Sequence, residues 1–133
     1  MSNNGKLYFL PADGPAIEIL PEAYGELSYG APSFDFMRPR IKCDVIEHVS
    51  VRYQGKEAHL FCDEESLLKD DGLVPNDRAT ALTANAQLDR HPQGRVLAYH
   101  DVTKPPPTIA ANYWFNTRAL IVGNAFLWTG DME

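Results

Sequence analysis

The sequence has 133 residues, of which 44% are apolar and 23% charged. One domain with its own core accounts for that length, and the composition excludes wholesale disorder, a collagen-like repeat and a coiled coil. Twelve Lys and Arg against eighteen Asp and Glu give a net charge of −6, which repels nucleic-acid phosphate and disfavours a broad electrostatic grip on DNA or RNA.

In chain order, residues 6–10 and 16–20 predict a hairpin around the turn-forming Pro11-Ala12-Asp13-Gly14-Pro15. Pro21 at a first helical position predicts a short helix that Gly25 ends. Residues 28–40 mix aromatics with Gly30, Pro32 and Pro39 and read as a loop that packs back on the core or offers a contact surface.

The strongest local signal is residues 45–62, two alternating runs around Gln54-Gly55. With Tyr53 opposite Lys56, the pairs counted outward are Arg52 with Glu57, Val51 with Ala58, Ser50 with His59, Val49 with Leu60 and His48 with Phe61. One face then gathers Val45, Val49, Val51, Tyr53, Ala58, Leu60 and Cys62 as core, and the other gathers His48, Ser50, Arg52, Glu57 and His59, half in solvent.

Residues 64–69 predict a helical turn stopped by Asp70-Asp71-Gly72. Asn76-Asp77 caps a second helix reaching Leu88, with Ala79, Leu82 and Ala86 as a narrow apolar stripe. Residues 95–101 predict a strand, 104–107 a stiff polyproline-type connector, and 109–115, 117–122 and 125–129 a strand-rich end.

The longest strictly aliphatic stretch, Ala119-Leu120-Ile121-Val122, is far short of the roughly 20 residues of a membrane helix. The polar start Met1-Ser2-Asn3-Asn4-Gly5 has no signal-peptide pattern, so a cytoplasmic protein is expected. Cys43 and Cys62 then read as reduced, buried small hydrophobes, because neither a Cys-x-x-Cys nor a His-x-x-x-His spacing occurs.

Three segments resemble a family described as domain of unknown function 3846, found in phages, plasmids and bacteria. They are the acidic strand end Leu60-Phe61-Cys62-Asp63-Glu64-Glu65, the segment Gly72-Leu73-Val74-Pro75-Asn76-Asp77-Arg78-Ala79, and the closing run from Ala119 through Gly123 and Trp128 to Gly130. The chain departs from the family pattern at Asp77, an extra residue between Asn and Arg, and in a longer stretch from about Thr80 to Thr117. The resemblance implies a setting, a small accessory protein of a mobile element, and brings no activity or site.

Candidate chemistry is sparse. His48, His59 and Glu57 share a hairpin face, which reads more plainly as two surface histidines beside an ion pair than as a two-histidine-plus-carboxylate metal site. No glycine loop cradles phosphate, no cysteine carries an activating neighbourhood, and no cofactor or metal is expected. The aromatic content is more suggestive, since Tyr113, Trp114, Phe115 and Trp128, with Tyr24, Tyr29, Phe34 and Phe36, exceed what one small core needs. Tyr113, Trp114 and Phe115 are consecutive, so they cannot all face inward if extended, and aromatics with Arg are the usual anchors of interfaces.

The expected fold is a single α+β domain, an antiparallel hairpin-rich sheet with one or two short helices on one face. The expected function is non-enzymatic: a mobile-element protein that binds a host protein, or itself, through Phe34, Phe36, Arg38 and Arg40 together with Tyr113, Trp114 and Phe115. The alternative is a protein that sequesters a nucleotide or other small ligand, holding phosphate with Arg38, Arg40 and Arg78 and stacking a base on Tyr113 or Trp114. A hydrolase or metal enzyme using His48, His59 or His100 comes last.

Overall fold

The computed structural model describes residues 5–64, 74–88, 90, 98–106 and 121–132. Among them are five strands, β1 (Leu7–Leu10), β2 (Ile17–Ile19), β3 (Ile46–Tyr53), β4 (Lys56–Asp63) and β5 (Ala125–Trp128), and three helices, α1 (Pro21–Tyr24), α2 (Phe34–Ile41) and α3 (Asp77–Leu88). The strands form one antiparallel sheet in the order β2-β1-β5-β4-β3. The C-terminal strand thus joins the two hairpins, with Phe126 opposite both Phe9 and Phe61. No helix among the described residues is long and apolar enough to cross a membrane.

Strand alternation divides the interior into two cores. Leu10, Val51, Tyr53, Ala58, Leu60, Cys62, Ala125 and Leu127 face α3, which buries Ala79, Ala81, Leu82, Ala84 and Leu88 against them. Leu7, Phe61, Phe126 and Trp128 point the other way, under Met37 and Ile41 of α2 and with Tyr24 of α1 packed alongside. The α+β class and the antiparallel hairpins agree with the sequence. The placing of helices on one face does not: both faces of β5 are apolar, and each needs its own cover.

The β3–β4 register is the one counted from Gln54-Gly55, from Tyr53↔Lys56 to His48↔Phe61. Gln54 and Gly55 both take positive φ, 55° and 79°, as a two-residue hairpin turn of the primed type requires. The second hairpin face departs from the expectation at one position, because His59 is buried although it shares that face with exposed His48, Ser50 and Glu57.

Helix α2 overturns the second half of the loop expected across 28–40, while residues 28–33 form a turn and irregular chain. The Ser33 side chain accepts from the Phe36 amide at 3.2 Å as N-cap, Asp35 sits in the first turn, and Met37 and Ile41 are buried one helical turn apart. Those contributions outweigh Pro39, whose ring in a helix interior costs about 3 kcal/mol and which removes the N–H that would bond the Asp35 carbonyl. Lys42, in the left-handed region at φ 66°, stops the helix.

Helix α3 begins where the sequence predicts, with Asn76 Oδ1 accepting from the Ala79 amide at 3.0 Å. Its stripe is wider than 79, 82 and 86 and shifted, for Ala86 is exposed while Ala81, Ala84 and Leu88 are buried. Both cysteines are buried and neither forms a disulfide; burial pushes the Cys62 thiol up to about 12, helped by the Glu47 carboxylate. Ala98 to Asp101, within the strand expected at 95–101, are irregular. The turn expected at 64–69, the strand at 109–115 and most of that at 117–122 lie outside the described residues, as do Tyr113, Trp114 and Phe115.

Candidate functional site

The face covered by α1 and α2 is a stack of rings. At its base Phe126 packs at 5.0 Å from Phe9 and 5.9 Å from Phe36, and Tyr24 sets its edge against both Phe36 and Trp128. Phe34 meets Phe61 edge-on at 5.9 Å yet keeps 43% of its surface exposed. Phe36 is half-buried. Such tilted and edge-on pairs are the favoured geometries for aromatic rings.

From this stack one ring projects. Ser28 and Ala31 bond each other through both backbone pairs, at 2.7 and 3.2 Å, around Tyr29 and Gly30 at φ 55° and 84°. This is a two-residue turn of the primed type, which ordinarily takes Asn or Gly at its first central position. Tyr29 stands there with 79% of its surface exposed. The turn is pinned from below, because the buried Trp128 donates from Nε1 to the Gly30 carbonyl at 2.9 Å. Leu27, 37% exposed, precedes it.

The cations differ in how far they are committed. Arg40 donates from Nη1 to the Phe36 carbonyl at 2.8 Å and lays its guanidinium 4.0 Å over the Phe36 ring. Arg38 makes a loose 3.7 Å ion pair with exposed Asp35, and its Nε is buried with no hydrogen-bond partner. Phe34, Phe36, Arg38 and Arg40 therefore share one helix, α2, where the sequence had suggested a loop.

Arg78 does not join them, because α3 lies on the opposite face of the sheet. Its Nε donates to the Val102 carbonyl and its Nη1 to the Gly14 carbonyl, both at 3.0 Å, so it latches the β1–β2 turn to residues 99–104. A groove of about 430 Å³ opens beside it, lined by Pro11, Asp13, Pro15, Asp77, Pro105 and Pro106 among others. Its lining sets the Arg78 guanidinium beside two carboxylates, Asp13 and Asp77.

The hairpin register also brings His48 and His59 together, with Nε2 of the first 2.9 Å from Nδ1 of the second. Burial, and next the charge of His48, hold the His59 imidazole below its ordinary value, while Glu57 and Asp131 pull the other way. Among the described residues no three His, Cys, Asp or Glu side chains gather as a metal set. His100 is exposed.

Residue types alone point to Tyr29, Phe34 and the arginines, and miss Leu27 as a surface group. Reading Ser28-Tyr29-Gly30-Ala31 as a tight turn with Gly second would have put Tyr29 at its tip. Compared with family models, with curated proteins and with solved structures, the chain matches none.

Proposed function

We propose that this chain is a small non-enzymatic accessory protein, of the kind a phage or other mobile element carries, that binds and modulates a host protein. One observation carries the binding reading: Tyr29 is held in the left-handed region, where L side chains are strained, with its ring in water. A strained residue that serves neither packing nor a buried hydrogen bond points to function at that spot. Tyr and Arg are also the commonest anchors of protein interfaces.

Tyr29 and Phe34 supply apolar contact area at low entropy cost, and Arg38, held only by its loose 3.7 Å pair with Asp35, supplies a guanidinium that a partner's carboxylate can claim. The partner that fits is a protein with an apolar pocket and an acidic rim. The mobile-element setting is drawn from the resemblance in sequence and the host protein from that setting.

The test is affinity capture from host lysate with the unmodified chain and with a Tyr29→Ser/Phe34→Ser double variant. One protein retained in stoichiometric amount by the first, and weakened about tenfold or more with the second, supports the reading; equal retention by both removes this surface from it. The ligand-sequestering alternative draws on the groove beside Arg78, whose volume suits a small molecule. A rise in melting temperature with one member of a nucleotide panel would favour it.

A further inference from the structure

We infer that His48 and His59 form a two-imidazole chelate for a divalent transition metal of the zinc, nickel and copper class, on the outer half of the β3–β4 hairpin. The two residues are diagonal neighbours on one face, His48 opposite Phe61 and His59 opposite Ser50. Their rings lie with centroids 5.0 Å apart and planes inclined by 36°, and Nε2 of His48 faces Nδ1 of His59 at 2.9 Å. In such a contact one nitrogen carries the proton and the other aims a lone pair at it. The pair already converges on a single point.

Replacing that proton by an ion needs little movement. Tetrahedral zinc, with Zn–N bonds of about 2.0–2.1 Å, sets two imidazole nitrogens roughly 3.3 Å apart. A tetrahedral angle at the ion puts each bond about 35° off the N–N line, so the rings part by about 0.4 Å and each also turns by roughly that angle to aim its lone pair at the ion, a side-chain rotation. Proton accounting is simple: the ring that donated shifts its hydrogen, through solvent, to its other nitrogen, and both rings then ligate as neutral imidazoles.

Both ligands are held in place before the ion arrives. Phe61 stacks on the His48 ring at 5.2 Å and 23°, and His59 is buried on β4, a strand paired on both sides. His48 is exposed, which gives the ion a route from solvent. No third protein ligand is gathered there among the described residues, so water completes the shell. Glu57 and Asp131 act on His59 electrostatically, and the net charge of −6 favours a cation further. Two imidazoles select zinc, nickel or copper over magnesium or calcium, which want oxygen ligands.

The experiment is calorimetric titration of the full chain with zinc chloride, in parallel with His48→Gln, whose amide still offers His59 a hydrogen-bond donor but no imidazole lone pair. The expected result is one zinc per chain in the micromolar range, a higher melting temperature with zinc and none with magnesium, and about tenfold or greater weakening in His48→Gln. In the unmodified chain, nitrogen-15 signals of His48 Nε2 and His59 Nδ1 should both move on adding zinc. Absence of zinc binding at those concentrations overturns the inference. So does unchanged affinity in His48→Gln, or zinc shifts confined to other histidines.

Discussion

The two faces of the sheet are built from different materials. Under α3 the contacts are aliphatic and small: Ala79, Ala81, Leu82, Ala84 and Leu88 of the helix share a core with Val51, Leu60 and Leu127. Among the described residues on that side, buried Asn76, Thr80 and Asn85 bond to backbone groups. Under α1 and α2 the contacts are rings, and the stack does not end at the surface but runs out through Phe34 toward water, with Tyr29 projecting from the same cover. A face whose apolar layer is covered by its own helix contributes to stability. One whose aromatic layer overflows has area left for a partner.

If that contrast is right, the largest stability effects belong to α3. Asn85 is buried and donates to the carbonyls of Arg52 at 2.7 Å and Tyr99 at 2.8 Å while accepting from the Tyr99 amide at 2.9 Å. It ties the β3 end to the irregular segment that follows α3. Asn85→Leu keeps the volume and strands three backbone groups, so a loss of about 3 kcal/mol or more is expected in urea denaturation. A loss near zero would mean that this face is not anchored through its polar hub.

The degree to which the sequence disclosed this arrangement follows from which signals are local. The β3–β4 register came directly from Gln54-Gly55 and period-two alternation, since a primed turn fixes every pair beyond it. The start of α3 was equally plain from Asn76. Its buried face was not, because Ala81 and Ala84 carry too little side chain to stand out in a hydrophobic pattern. Helix α2 was hidden by Pro39, whose unfavourable term is local while the burial of Met37 and Ile41 that outweighs it is tertiary. The insertion of β5 between two hairpins is wholly non-local; its one trace is that Ala125, Phe126, Leu127 and Trp128 are all apolar, as a strand covered on both faces demands. The candidate surface was legible by residue type at Tyr29, Phe34, Arg38 and Arg40, while the strain at Tyr29 was illegible, because that information lies in a backbone angle.

The same side of the β3–β4 hairpin as Phe61 carries a titrating group. His59 is held below the ordinary imidazole value by burial first and then by the charge of His48, against the opposing pull of Glu57 and Asp131. On acidification the unfolded chain therefore takes up the proton before the folded one does. The stability this group contributes is present in full above about pH 6.5, the unfolded value, and is lost as pH falls toward the folded one. In chelator, the urea midpoint of the unmodified chain should fall between about pH 7.5 and about pH 5.5, and His48→Gln, without the second positive charge, should show a shallower fall. A midpoint that rises on acidification contradicts the burial assigned to His59.

The smallest effects on folding belong to the aromatic rim, and there the comparison is sharpest, because stability and binding should move in opposite directions. Arg38→Ala removes only an exposed, loose pair with Asp35, so its effect on stability should stay within about 0.5 kcal/mol. Its loss would be read in partner affinity alone. Tyr29→Asn goes further. Asn occupies the left-handed region with less strain than Tyr, and the Tyr29 ring is largely in solvent, so the variant should be more stable by about 0.5–1 kcal/mol. If Tyr29 is an interface anchor, the same variant binds its partner about tenfold or more weakly. Gain in stability with loss of binding at one position is the pattern of a residue retained against the preference of its own backbone. Loss of stability instead would show that the Tyr29 ring supports the fold, and the strain at the turn would then have a structural explanation.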